Sequence, residues 1–425
     1  MKTINLTIVI ALLAVLSFNV CAQEEVEKNN TIVRSVQISF VTPLGTNGME
    51  SWNVSNNFSL NMIIGYSGGL KGFEIGGLYN MIKEDVKGLQ IAGFGNTVMG
   101  NVIGCQISGF SNINKKNVKG LQIAGFSNTI IGNVIGCQIS GFSNISKKNL
   151  NGIQIAGFSN IIADSATVSQ ISGFSNIVNG TMTGMQLTGF INIAKSMPIG
   201  TQISGFANIN HGDIKGSQIT GFANINSGNL KGVQISGFLN YTKKLTGAQI
   251  GFINICDTVE DGISLGFLSI VKKGYRSFEL SGNESFYAVG SFKTGTEKFY
   301  NIISIGSRLE SNFIKWGWGY GIGTMFPVTE KVKVNIDGIA YHINEDEWWT
   351  GRLNMLNKIN LCASMHVSDN LTVFGGMTWN IQVSDINDRE GNPVNSPIVS
   401  WSAYDKTIRN TNVKMYPGFT VGVRL

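Results

Sequence analysis

Two hydrophobic patterns divide the chain. From residue 68 to 270 the motif GxQIxGFxN recurs, and its phenylalanine falls at 94, 110, 126 and onward to 238 with a strict period of sixteen. A degenerate copy with Leu78 precedes this run, and two shortened copies with Phe252 and Phe267 follow it. Beyond residue 295 the pattern changes to alternation. Trp316, Trp318, Tyr320, Ile322 and Phe326 share one face of a strand, with glycines on the other. Leu371, Val373, Met377, Trp379 and Ile381 oppose Thr372, Thr378, Asn380 and Gln382, and Ile359 to Val367 alternate against Lys358, Asn360, Ser364 and His366 in the same way.

Each sixteen-residue copy reads as strand followed by turn. QIxGFxNI is β-prone, while NKKN, NGT, HGD and SGN are turn chemistry. Glycine recurs too often for helix, and no 3.6-residue pattern appears. Residues 89–120 and 121–152 match at 26 of 32 positions, the mark of a recent duplication in part of the array. One copy is too small to bury a core alone and must stack on the next.

Two all-β architectures fit. In a parallel β-solenoid each copy is one coil, and identical residues stack at about 4.8 Å. The structural positions are then Gly93, Phe94, Gln106, Gly109, Phe110, Asn112, Gln122, Gly125, Phe126 and Asn128 and their equivalents. Glutamine and asparagine columns become amide ladders, and Ile, Phe, Ile and Val columns are expected to supply the core. In the alternative, each copy is one antiparallel strand of a large barrel, with Gly93 opposite Gly109 and Gln90 opposite Asn112. Ladder stacking favours the solenoid.

The flanks carry the signature of outer-membrane barrel strands, apolar outside and polar inside with aromatic residues near the ends. Six such strands follow Lys298. Two more, around VRSVQISFV and NFSLNMIIGYS, precede the repeats and would bring the ring to eight. PVTEK and SDN are short turns, whereas INEDEWWTGR and the stretch 384–410 are long loops. The expected organisation is a signal peptide at 1–22, N-terminal barrel strands at 23–67, the repeat array at 68–270 and C-terminal transmembrane strands at 271–425.

Composition agrees with an exported β protein. The chain holds 53 glycines, 6 prolines and 14% charged residues, with a formal net charge of +6. Lys2, an apolar run to Val20 and the Val20-Cys21-Ala22 cleavage pattern read as an export signal. Phe18-Asn19-Val20 is a poor lipobox, so lipidation at Cys21 is the minor reading. No basic run interleaves with aromatics, which argues against nucleic acid as a partner. Cys105, Cys137, Cys256 and Cys362 match no zinc or redox spacing.

SFVTPLGTNG, NNFSLNMIIGYSGG, the GxQIxGFxN array, IGFINI and GFLSIVKKGY followed by KTGTEKFYNI together resemble the surface-repeat proteins of Bacteroidota and Leptospira. The resemblance covers essentially the whole mature chain. It implies an exported outer-membrane or surface-exposed protein and brings no catalytic residue or cofactor.

The search for chemistry is sparse. His211, His342 and His366 are isolated, and no serine sits in a nucleophile elbow. Glu345, Asp346 and Glu347 beside Trp348 and Trp349 form a candidate surface-loop contact, against the plainer reading of a solvated loop with interfacial tryptophans. Lys115-Lys116, Lys147-Lys148 and Lys243-Lys244 recur at turns, where they could meet anionic lipid or simply keep an edge soluble. Glu279 and Glu284 face a lumen, with structural hydrogen bonding as the expected role. The leading expectation is a non-enzymatic surface protein that contacts outer-membrane lipid and a surface ligand or protein. A pore or transporter is the second, and a surface hydrolase the least supported.

Overall fold

The computed structural model describes residues 32–310, 313–345, 348–368, 371–386, 399 and 401–425. The expected export signal and Cys21 lie outside the described residues. The chain divides into two compact units, one ending at Gly237 and the other beginning at Phe238.

The first unit is a parallel β-solenoid, and the solenoid has about 14 turns in all. Its coil is the sequence period. Val118–Ala124 pairs in parallel with Val102–Ser108 on one side and Val134–Ser140 on the other, each residue meeting the one sixteen positions away. Ser127–Ile130 does the same with Ser111–Asn114 and Ser143–Ser146. The antiparallel arrangement of the repeats is thereby excluded.

Glycine is required at two positions of the coil, one inside the longer strand and one at the bend after it. Gly120 sits at φ +141°, a conformation that L side chains rarely adopt. At Gly125 the reason is space: a Cβ would stand 1.9 Å from the Gly109 carbonyl oxygen of the preceding coil.

The interior differs from the expected one. The valine column is buried, as Val102, Val118 and Val134 show, along with Ile130 and Ala124. The rest of the core is amide. Gln106, Gln122, Asn112 and Asn128 are fully buried, whereas Phe110 and Phe126 are each 41% exposed. The isoleucine columns flanking the phenylalanines, represented by Ile123 and Ile113, also point outward. Alternation explains the correction. Gln122 and Ile123 are strand neighbours and cannot both point in. A stacked amide loses nothing by burial, because its partner sits one coil away.

The two ladders run in opposite directions. Gln122 Nε2 donates back to Gln106 Oε1 at 2.8 Å, and Gln106 donates back to Gln90 at 2.8 Å. Asn112 Nδ2 donates forward to Asn128 Oδ1 at 2.9 Å and spends its second hydrogen on the Ile123 carbonyl at 2.9 Å. On the outside, Phe110, Phe126 and Phe142 stack with centroids 4.8 Å apart and planes within 2°.

The two N-terminal strands expected in the barrel belong to the solenoid. Ile32–Val41 pairs in parallel with Val54–Ser67, which pairs in turn with Gly69–Gly76 and Tyr79–Ile82. Their polar residues are ladder members: Gln37 Nε2 donates to Asn61 Oδ1 at 3.2 Å, and Asn61 Nδ2 to Asn80 Oδ1 at 3.1 Å.

The second unit opens with more coils, in which Leu239–Ile250, Ile253–Leu265 and Leu268–Val271 pair in parallel. An antiparallel sheet of nine strands follows. Tyr275–Asn283 pairs with Ala288–Thr296 and also with the last strand, Thr411–Arg424, so the sheet closes on itself. Phe299–Glu310, Phe313–Pro327, Val332–Glu345, Asn354–Ser368 and Leu371–Ser384 complete the ring. Leaving aside the short Tyr404–Ile408, which pairs with part of the last strand, nine less one gives eight. The strand number matches the expectation, but all eight follow the repeats.

Candidate functional site

The barrel wall is built by alternation, with its apolar residues outside. Ile303, Leu361, Met377 and Phe419 are 47%, 50%, 69% and 58% exposed. Among their strand neighbours, Ser304, Thr378 and Thr420 point in and are polar, while Ile302 and Cys362 point in and are apolar. The glycines of WGWGYGIG also point in, for a packing reason. A Cβ on Gly319 would stand 2.7 Å from the Tyr341 ring, and one on Gly323 2.4 Å from the Tyr300 ring. Small residues on one strand thus admit large ones from the strands on either side of it.

The lumen is filled by ion pairs and rings. Lys293 Nζ lies 3.0 Å from Glu279 Oε1 and 2.8 Å from Asp337 Oδ2. Arg424 Nε donates to Glu279 Oε1 at 2.6 Å, and the Tyr300 hydroxyl donates to Asp337 Oδ1 at 2.6 Å. This group holds two cations against two carboxylates and is neutral as a set. A second group centres on Glu284, which accepts from Lys358 Nζ at 2.6 Å, from Thr378 Oγ1 at 3.2 Å and from the Phe419 backbone N–H at 2.9 Å. The barrel also buries an apolar cluster that includes Phe286, Ile302, Tyr341, Ile343 and Leu356. Burial without pairing would cost several kcal/mol per charge, so the pairing is what permits these residues inside.

Glu279 and Glu284 therefore take the structural role read from the sequence. Lys293, Asp337, Tyr300 and Arg424 were not singled out there. Their signal was parity, since each occupies an inward position of an alternating strand.

The acidic and tryptophan loop is less of a cluster than its sequence suggests. Glu345 turns to Lys315 at 3.5 Å and accepts from Asn354 Nδ2 at 2.9 Å. Asp346 and Glu347 lie outside the described residues. Trp348 lies 5.5 Å from Trp316, and Trp349 sits between Trp318 at 6.3 Å and His342 at 4.7 Å. The tryptophans thus form an aromatic band at one end of the wall. His366 Nδ1 meets Thr372 Oγ1 at 2.7 Å, and His211 stands in a repeat turn, so the three histidines do not converge.

The repeat positions converge as columns. Glu74 stands at the head of the glutamine ladder, fully buried, and accepts from Gln90 Nε2 at 2.7 Å and from Asn61 Nδ2 at 3.0 Å. It joins the two ladders: the backward-donating glutamines end on it, and the forward-donating asparagines pass beside it. Desolvation by burial pushes its carboxyl up to about 7, against the hydrogen bonds from Gln90, Asn61 and Ser59. Cys105 and Cys137 occupy one column two coils apart and are free thiols.

No helix among the described residues is long and apolar enough to cross a membrane, which leaves strand-crossing untouched. No family model matches the chain, and neither a curated protein nor a solved structure matches it.

Proposed function

We propose that this chain is an exported, non-enzymatic outer-membrane protein whose eight-strand barrel is a membrane anchor and whose role is structural or one of interaction. One observation carries the reading. The barrel is apolar outside and holds its charges inside, the reverse of a water-soluble barrel and the arrangement a bilayer selects. Every strand of the ring has a partner on both edges, which hydrocarbon demands. The tryptophan band at the long-loop end suits a membrane–water interface. The lumen, packed with Tyr300, Tyr341, Tyr416 and Phe286, favours an anchor over a pore. The resemblance to surface-repeat proteins points the same way.

Fractionation of cells making the full chain tests the reading. The protein should sediment with outer membranes and migrate differently on gels with and without boiling. Recovery as a soluble periplasmic monomer would overturn it.

A further inference from the structure

The charge of the first unit is unevenly placed. Residues 86–149, the four coils around Phe94, Phe110, Phe126 and Phe142, hold six lysines and no acidic residue. Residues 150–213, the next four coils, hold Lys195 against Asp164 and Asp213. The six lysines change sides from coil to coil. Lys87 and Lys119 stand near the start of the long strand in the first and third of these coils, while Lys115-Lys116 and Lys147-Lys148 stand at the turn of the second and fourth. Among the described residues none of the six is held in an ion pair.

The belt between the lysines is apolar. It is made by the phenylalanine column, by the isoleucine column from Ile91 to Ile139 beside it, and by the half-exposed Cys105 and Cys137 beyond. In the next four coils the slots of those cysteines hold Ser169 and Thr201 instead. Phe110, Phe126 and Phe142 are each 41% exposed. At roughly 200 Å² for a whole side chain, four such rings alone offer about 300 Å². Apolar patches of that size mark binding surfaces. The way the rings are presented selects the ligand. Phe110 and Phe126 stack with planes within 2°, so each ring's faces are covered by its neighbours and the column offers its edges. A nucleobase needs a free aromatic face to stack on and finds none. A ring edge is electropositive and prefers the π face of another aromatic group. A saturated acyl chain would satisfy the isoleucines and leave that preference unmet. The lysines on both margins add a field that favours negative charge.

We infer that the coils of residues 86–149 bind a small planar aromatic anion, its π face across the phenylalanine edges and its acid groups on the lysines to either side. Every group involved belongs to the first unit, so the inference stands apart from the barrel and from its membrane role. The coils of residues 150–213 keep the phenylalanine column and lose the lysine cluster, which makes them a control within the same chain.

Cys105 and Cys137 report on the site in the native chain, since Cys256 and Cys362 are buried. The full chain is placed in phosphatidylcholine nanodiscs, with empty nanodiscs as the blank. Alkylation of the two thiols by iodoacetamide is followed by peptide mass. Congo red, a planar aromatic disulfonate, should bind and slow both reactions several-fold. Thioflavin T, a planar cation, and decanoate, an acyl anion, should leave them unchanged at the same concentration. Congo red binding should weaken as salt rises. It should weaken several-fold in Lys87→Gln/Lys115→Gln/Lys119→Gln/Lys147→Gln, and also in Phe126→Leu, a residue that Leu78 shows the slot to accept. Phe174→Leu, in the coils without the lysine cluster, should bind as the native chain does. Absence of protection by Congo red overturns the inference, and so does equal loss in Phe126→Leu and Phe174→Leu. Should Phe126→Leu fail to fold, the lysine variant decides: unchanged affinity there overturns it. Equal protection by thioflavin T would remove the role of charge and overturn it as well. Protection by decanoate, or by phosphatidylglycerol in the disc, would make lipid the occupant. Protection that grows with protein concentration in the absence of dye would make it a second copy. Either result replaces the aromatic anion and overturns the inference.

Discussion

Asn301 of the barrel wall closes the end of the last coil: its Oδ1 accepts the Ser269 backbone N–H at 2.8 Å, and its Nδ2 donates to the Gly266 carbonyl at 2.8 Å. A solenoid's final coil has no following coil to pair with, so its backbone groups need another partner. Asn301 is fully buried and supplies one donor and one acceptor in the spacing of a coil. Asn301→Leu should orphan the Ser269 N–H, at roughly 1–3 kcal/mol, while the Gly266 carbonyl keeps the Tyr320 hydroxyl at 3.2 Å. Hydrogen exchange should report it as lost protection at Ser269, whereas Ile303→Leu on the same outward face should leave that amide protected. Unchanged exchange at Ser269 in the Asn301 variant would show that the cap is dispensable.

Gly125 and Ser127 lie on either side of Phe126, yet they should respond oppositely to the same substitution. A Cβ at Gly125 meets backbone of the previous coil, which cannot move without parting the ladder. The Ser127 slot is roomier, since Ile191 occupies it further along the array. Gly125→Val should therefore cost about 2–4 kcal/mol and Ser127→Val little. Equal melting temperatures for the two variants would mean that the period records duplication rather than packing.

Much of this was legible in the chain. The period fixed the coil because Gln122, Gly125 and Asn128 each need their own kind sixteen residues away. The barrel wall was legible as alternation in Trp316–Phe326 and Leu371–Gln382. Three features were not. The outward turn of Phe126, two residues from the inward Ala124 and Asn128, depends on the bend at Gly125, which breaks the simple period of two. The N-terminal strands alternate as barrel strands do, and only the partners of Gln37 and Asn61 assign them to the solenoid. Glu279 finds Arg424 across 145 positions of sequence, a pairing that ring closure alone creates.

The column register makes a covalent prediction. Leu121 pairs with Cys105 on one neighbouring coil and with Cys137 on the other. The native cysteines are two coils apart, about 9.6 Å at about 4.8 Å per coil, beyond disulfide reach. A thiol from Leu121→Cys lies one spacing from each. Burial pushes both native thiols up to about 11, so linkage needs a metal-catalysed oxidant. Oxidised Leu121→Cys should give one intrachain disulfide, mapped by peptide mass to Cys105 or Cys137. The antiparallel arrangement would instead bring Leu121 to Ile113. Linkage in Leu121→Cys/Ile113→Cys lacking the native cysteines, with none in the single variant, would contradict the coil.

Glu74 gives the solenoid a pH dependence whose sign follows from its surroundings. Burial raises its carboxyl from an ordinary 4.5 to about 7 in the folded chain, so the folded state holds the proton more tightly than the unfolded one. The stabilisation is fully present below about pH 4.5 and is lost as pH rises through 7. Its ceiling is roughly 3 kcal/mol, at about 1.4 kcal/mol per unit of pKa. A glutamine in its place would not titrate. It would, however, turn an amide donor toward Gln90 Nε2 or Asn61 Nδ2, both donors already, which is why a carboxylate sits where the ladders meet. Glu74→Gln thus need not be more stable at any one pH. What must change is the slope: between pH 5 and pH 8 the native chain should lose stability relative to the variant. Denaturant unfolding at the two pH values measures this difference, and parallel curves for the two proteins would show that Glu74 carries no such linkage.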